Sequence, residues 1–254
     1  MNTTGHIPAG TVQHHNGKGQ EVALVEFRGL SKIYGREITE VRALDNVDML
    51  VHEGEFVAIM GPSGSGKSTC LNMIGCLDMP TTGSYLFKGV EVGGLTQNQR
   101  ALLRRHYLGF VFQGYNLLKR TSALENVEMP LVYRGYSHSQ RRQMALKALN
   151  SVGLRGWEDH TSAELSGGQQ QRVAIARAIV SQPYLLLADE PTGNLDSKSS
   201  VGIMELLSSL NKKLGITVVM VTHEPDMATY AERIIHFLDG RILTDELNHA
   251  GSSV

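Results

Sequence analysis

Residues 61–69 read Gly61-Pro62-Ser63-Gly64-Ser65-Gly66-Lys67-Ser68-Thr69, which fits the pattern G-x-x-x-x-G-K-[ST]. That spacing suits the cradling of a polyphosphate. Glycines let consecutive backbone N–H groups turn inward, and a helix starting at the lysine adds the positive end of its dipole. Lys67 is placed to reach β- and γ-phosphates, and the Ser68 hydroxyl to coordinate Mg²⁺. A second group, Asp189-Glu190, closes the apolar run 185–188. Asp189 suffices to hold the metal ion, while Glu190 is placed to polarise a water for in-line attack on a γ-phosphate. A plain glycine turn or a solvated strand end explains either motif alone. Together they point to a nucleoside triphosphatase.

Ser166-Gly167-Gly168-Gln169, after Leu165, forms a third group. It is a serine-capped, glycine-bearing helix start, and so a second anion-binding device. These groups need a scaffold. The run 55–60 reads as a buried strand leading into the glycine cluster, and 67–76 as a helix closed by Pro80 and a turn at 81–83. Charged helix is expected over 97–107, a short strand over 108–112, and helices over 124–133, 139–152 and 168–180. Strands at 184–188 and 216–222 then enclose a helix at 197–213, with helix again at 227–231. A strand is expected over 22–28, and Asp239-Gly240 predicts a hairpin between 234–238 and 241–243. Continuous apolar strands between helices imply a mostly parallel sheet covered on both faces.

Composition limits the alternatives. The 254 residues are 41% hydrophobic, enough for a sizeable core, with 24 basic against 25 acidic residues and a net charge of −1. That balance argues against a nucleic-acid partner. Cys70 and Cys76 are the two cysteines, too few for a disulfide framework or a four-thiolate zinc site, and both are expected to be core thiols. No apolar run approaches the roughly 18 residues of a membrane span. Residues 1–21 are polar and without period, so a disordered tail is expected, with His14 and His15 solvated. A soluble protein of a reducing compartment follows. Glycine is high, at 27 residues.

The set and order of these motifs (phosphate loop, Leu165-Ser166-Gly167-Gly168-Gln169, acidic strand end) resemble the ATP-binding-cassette ATPases over essentially all of residues 22–245. The resemblance implies an α/β P-loop NTPase core of RecA-like type, with an antiparallel β subdomain and a helical subdomain insertion. The core would comprise 22–91 and 176–245, and the insertion about 92–175. Gln113 stands where the family has a glutamine that touches Mg²⁺ or the lytic water. Gly193-Asn194-Leu195-Asp196 resembles the loop after the acidic strand, and His223 the histidine that contacts the γ-phosphate. Tyr34 resembles the aromatic that stacks on adenine. In this family two subunits meet head to tail, so Ser166 to Gln169 of one would face ATP bound at 61–69 of the other.

Gly75-Cys76-Leu77-Asp78, Tyr115-Asn116-Leu117-Leu118, residues 123–131 and Thr222-His223-Glu224-Pro225-Asp226 resemble the MacB- and LolD-type ATPases. Lys119 and Cys70 depart from that pattern away from the chemistry. This likeness implies a homodimer closing on two ATP, and a separate integral-membrane permease, in some cases with a periplasmic adaptor. It implies a cytoplasmic protein, peripheral on the inner face of the cell membrane. The work would be export, lipoprotein release or mechanotransmission. A non-transport cassette ATPase acting on a soluble or nucleic-acid machine is the alternative.

Overall fold

The computed structural model describes residues 22–35 and 39–248, so the expected tail and its histidines lie outside the described residues. At the centre is a six-stranded sheet. It holds β3 (Phe56–Met60), β6 (Leu108–Phe112), β7 (Leu185–Asp189), β8 (Thr217–Val221), β9 (Arg233–Leu238) and β10 (Arg241–Leu247), in the order β10-β9-β3-β8-β7-β6. All neighbours are parallel except the β9–β10 hairpin. Strand alternation divides two cores. Ala58, Leu186, Ala188, Val218 and Met220 face one, while Val57, Ile59, Leu185, Leu187, Val219 and Val221 face the other. Burial on both faces explains why these strands read as unbroken apolar runs.

A separate antiparallel sheet packs over the second core. Its strands β1 (Val25–Tyr34), β2 (Val41–Val51), β4 (Thr82–Phe87) and β5 (Val90–Glu91) run in the order β2-β1-β4-β5. Local reading predicted only the start of β1, and it placed a turn at 81–83 where β4 begins. The reason is broken periodicity. β1 changes register between Phe27 and Leu30, around Gly29 at φ 54°, and Asn46 sits at φ 52° inside β2. Such bulges interrupt the two-residue alternation that marks a strand. Arg241 bonds Asp45 at 2.6 Å, and the Asp45 N–H donates to the Gly240 carbonyl at 2.9 Å, tying β2 to the hairpin of the central sheet.

Helix α1 (Lys67–Ile74) follows β3. It is two residues shorter than expected, because Cys76 turns to φ 52°; Cys70 and Cys76 are both buried, as expected. Next come α2 (Gln97–Tyr107), α3 (Ala123–Tyr133), α4 (His138–Ser151) and α5 (Gly167–Ile179). Each of these four is opened by a reciprocal capping box: Thr96 with Gln99, Ser122 with Glu125, Ser137 with Gln140, and Ser166 with Gln169. Such caps contribute about 1 kcal/mol each. Helix α6 (Ser197–Leu214) starts at Asp196, and α7 (Pro225–Ala228) lies slightly earlier than predicted. Strand β6 falls within the span 92–175 yet belongs to the parallel sheet, beside β7.

Candidate functional site

The loop 61–66 leaves β3 through positions only glycine adopts comfortably. Gly61 and Gly66 have φ of 148° and 103°. A β-carbon at Gly61 would strike the Phe237 carbonyl, and one at Gly66 the Ala43 carbonyl, so these glycines let the loop press against its walls. Gly66 caps α1 with no side chain, leaving the first-turn amides for an outside acceptor. Ser65 Oγ is buried without a partner among the described residues. The Lys67 ammonium donates to the Gly61 and Pro62 carbonyls at 2.8 and 2.7 Å. Burial pushes its pKa down, opposed by Glu190 and Asp189. Free amides, an orphan hydroxyl and a partly buried cation fit a polyphosphate.

Asp189 ends β7 on the α1 side of the sheet, in the alternation of Leu185 and Leu187. Burial pushes its carboxyl pKa up, Glu190 adds to the rise, and Lys67 opposes it. Glu190 then leaves the strand at φ 44°. Its Oε1 lies 2.9 Å from His223 Nδ1, and its N–H is tied to the Val221 carbonyl at 2.9 Å. Because β7 and β8 are neighbours, the chain ends carrying Glu190 and His223 emerge side by side. Among the described residues no cluster of three His, Cys, Asp or Glu could cage a metal ion by itself. One carboxylate, Asp189, close enough to feel the Lys67 charge, and a hydroxyl on the exposed Ser68 next in sequence to that lysine are donors of the kind that suit an ion such as Mg²⁺, which keeps its remaining places for phosphate and water.

Ser63, Gly64, Gly66, Lys67, Ser68, Thr69, Glu190 and His223 share one cleft of about 510 Å³ with Val41, Arg42 and Ala43. Sequence reading missed these last three, since only the placement of β2 brings them here. Tyr34 borders the cleft without lining it. Its hydroxyl bonds Asp78 at 2.7 Å and meets the side chain of Thr69. Gln113 is likewise off the lining; it packs against Gly193, whose missing side chain makes room for its amide. Ser166 to Gln169 do not line the cleft of their own chain. Ser166 Oγ accepts from the Gln169 N–H at 3.3 Å, while Gln169 Oε1 accepts from the Ser166 N–H at 2.9 Å. The Tyr115 hydroxyl stands beside Gly167 and approaches the Asn194 carbonyl at 3.4 Å. A second, apolar groove of about 630 Å³ lies between α2, β6, α3 and α5, with Leu77, Phe110, Phe112, Met129 and Tyr133 on its walls.

A glycine-lined helix start sharing one cleft with a paired carboxylate and histidine, all at the C-terminal ends of parallel strands, marks a nucleotide-hydrolysing cassette. The sequence model described as ABC transporter matches residues 44–193. An ABC transporter ATP-binding protein of Methanocaldococcus jannaschii is 49% identical over 220 residues, covering 87% of this chain and 98% of the relative. The macrolide export ATP-binding/permease protein MacB of Escherichia coli is 47% identical over 222 residues, covering 87% of this chain. This chain spans 34% of that longer protein. A dimeric ATP-binding cassette solved in a post-hydrolysis state with ADP and phosphate is 45% identical, with a TM-score of 0.82 over 89% of this chain and 99% of that one. The chain belongs to the ABC transporter family of ATP-binding proteins and is a nucleotide-binding transport ATPase. Among the described residues no helix is long and apolar enough to cross a membrane.

Proposed function

We propose that the chain binds ATP with Mg²⁺ in the cleft at residues 61–69 and uses Glu190 as the base that activates water for attack on the γ-phosphate. The observation that carries this reading is the 2.9 Å contact of Glu190 with His223 on the rim of the phosphate loop. Lys67 would exchange its loop carbonyls for β- and γ-phosphate oxygens, and loop amides and Thr69 would hold the rest of the chain of phosphates. Ser68 and Asp189 would hold Mg²⁺, with Gln113 approaching from the loop after β6. When bound, the ion supplies positive charge that neutralises the phosphate oxygens. His223 would meet the γ-phosphate while keeping Glu190 in place. Tyr34, at the cleft border, would take the adenine face.

The working unit is a homodimer in which two ATP molecules are closed between the loop 61–69 of one copy and Ser166 to Gln169 of the other. Exposure of Ser166 and its absence from the lining of its own chain's cleft support that arrangement. The partner is an integral-membrane permease. The permease named together with the ATP-binding part in MacB supports a membrane partner. Its seat is the apolar groove at Leu77, Phe112 and Tyr133, which adjoins the loop carrying Gln113 through Phe112 and Asn116. The protein would lie on the inner face of the cell membrane, with a periplasmic adaptor completing some such assemblies. Export in the manner named for MacB is the favoured work. The α/β part and the helical body at α3 to α5 would act as two subdomains.

Glu190→Gln tests the reading. Turnover is expected to fall about 10²–10⁴-fold while ATP binding persists and an ATP-bound dimer accumulates. Hydrolysis at the rate of the unaltered protein would remove Glu190 from its role.

A further inference from the structure

The two loops that carry Glu190 and His223 are joined by a second hydrogen bond. Thr192, two residues beyond Glu190, is 2% exposed and donates its hydroxyl to Glu224 Oε1 at 3.0 Å. Glu224 follows His223 directly, and its N–H donates to Thr222 Oγ1 at 3.1 Å. Thr222 is buried, and its own N–H donates to the Ile59 carbonyl of β3 at 3.2 Å. His223 is therefore bracketed by two residues that are pinned to the protein, although its own side chain is 59% exposed. On the opposite loop, Glu190 holds a left-handed conformation at φ 44°. A non-glycine residue keeps such a conformation only where its surroundings over-determine it. The Gly193 N–H returns to the Glu190 carbonyl at 3.1 Å, so Thr192 sits inside the turn that fixes it.

We infer that Thr192 and Glu224 are positioning residues for ATP hydrolysis: their hydroxyl–carboxylate bond staples the loop after β7 to the loop after β8 and holds His223 within reach of Glu190. The inference rests on the roles proposed for Glu190 and His223, and adds two residues that line no part of the cleft. An exposed imidazole that meets Glu190 through one side-chain bond samples other rotamers once its backbone is released. A misplacement of about 1 Å is enough to cost a reaction on the order of a hundredfold.

Five full-length variants test it: Thr192→Val, Glu224→Ala, Glu224→Gln, the double variant Thr192→Val/Glu224→Ala and, as reference, Glu190→Gln. Thr192→Val keeps the side-chain shape and removes the donor; Glu224→Gln keeps a carbonyl acceptor without the charge. Thr192→Val and Glu224→Ala are expected to lower kcat by about ten- to a hundredfold with KM for MgATP within about twofold. Glu224→Gln should stay within about twofold of the unaltered protein, and the double variant Thr192→Val/Glu224→Ala should be no slower than the slower single one. A nucleotide-free crystal structure of Thr192→Val should show His223 moved away from Glu190 Oε1. Unchanged kcat in Thr192→Val, beside an inactive Glu190→Gln, overturns the staple and leaves the proposed function standing. A Glu224→Gln as slow as Glu224→Ala, or a loss seen only as a lower melting temperature or a raised KM, also overturns it. Full turnover in Glu190→Gln removes the reading on which it rests.

Discussion

Helix α1 begins at Gly66, whose φ of 103° and missing side chain leave the first turn uncapped; helix α5 begins at Ser166, which exchanges two hydrogen bonds with Gln169. Both starts are rich in glycine and both read as anion-binding devices in the sequence. Their difference matches the two jobs proposed for them. At α1 the chain leaves donors unsatisfied and gathers Lys67, Asp189 and Glu190 around them, at a cost visible in the displaced pKa values of Lys67 and Asp189. At α5 it satisfies the end internally, so the helix is stable before any partner arrives. An uncapped end suits a ligand held by a single chain, and a self-capped end suits one presented to a second copy.

Lys67→Ala strikes α1 hardest. Loss of the cation is expected to lower ATP turnover about 10²–10³-fold, with weaker nucleotide binding in a fluorescence titration. Retained turnover would reduce α1 to an ordinary helix start. Ser166→Arg comes next, because an arginine at α5 obstructs closure without touching the cleft of its own chain. ATP binding by the monomer should match the unaltered protein, while light scattering in MgATP should show no dimer in a Glu190→Gln background. A dimer of normal yield would return α5 to its own subunit.

Ser166→Ala asks for less, since it removes only the cap. Denaturant unfolding should show a loss of about 1 kcal/mol, whereas no comparable side-chain cap exists to delete at α1. Asp189→Asn is the mildest, and its sign is opposite. Burial and Glu190 raise the carboxyl pKa, so the native chain keeps a proton there that the unfolded chain has already released. Stability therefore falls as pH rises through the interval between the two values. The nucleotide- and metal-free variant should melt above the unaltered protein at neutral pH. The difference should vanish below the ordinary carboxylate range, and a variant that melts lower at neutral pH would contradict the assigned strain.

Legibility followed the range of the interactions. Helix α2 and strand β6 appear at 97–107 and 108–112 as expected, because capping and apolar runs are written within a few residues. Strand β2 was unreadable, since Asn46 and the paired register shifts hide its alternation and its burial comes from β1 and the hairpin. Its loss also hid Val41, Arg42 and Ala43 from the site. Glu190, His223 and Lys67 were legible as candidates, yet nothing local indicated that Tyr34 would bond Asp78 or that Gln113 would rest on Gly193.

What the sequence alone determined is the chemistry on offer: glycines where backbone must expose its amides, a lysine and serine to open the helix, and carboxylates at the end of a buried strand. These depend on residue type and spacing over a dozen positions. The tertiary structure decided which groups meet. The order β3-β8-β7 sets the Glu190 and His223 loops side by side and lets Thr192 reach Glu224, 32 positions away. Strand order arises from the packing of both faces of the sheet at once, and no single stretch of chain encodes it.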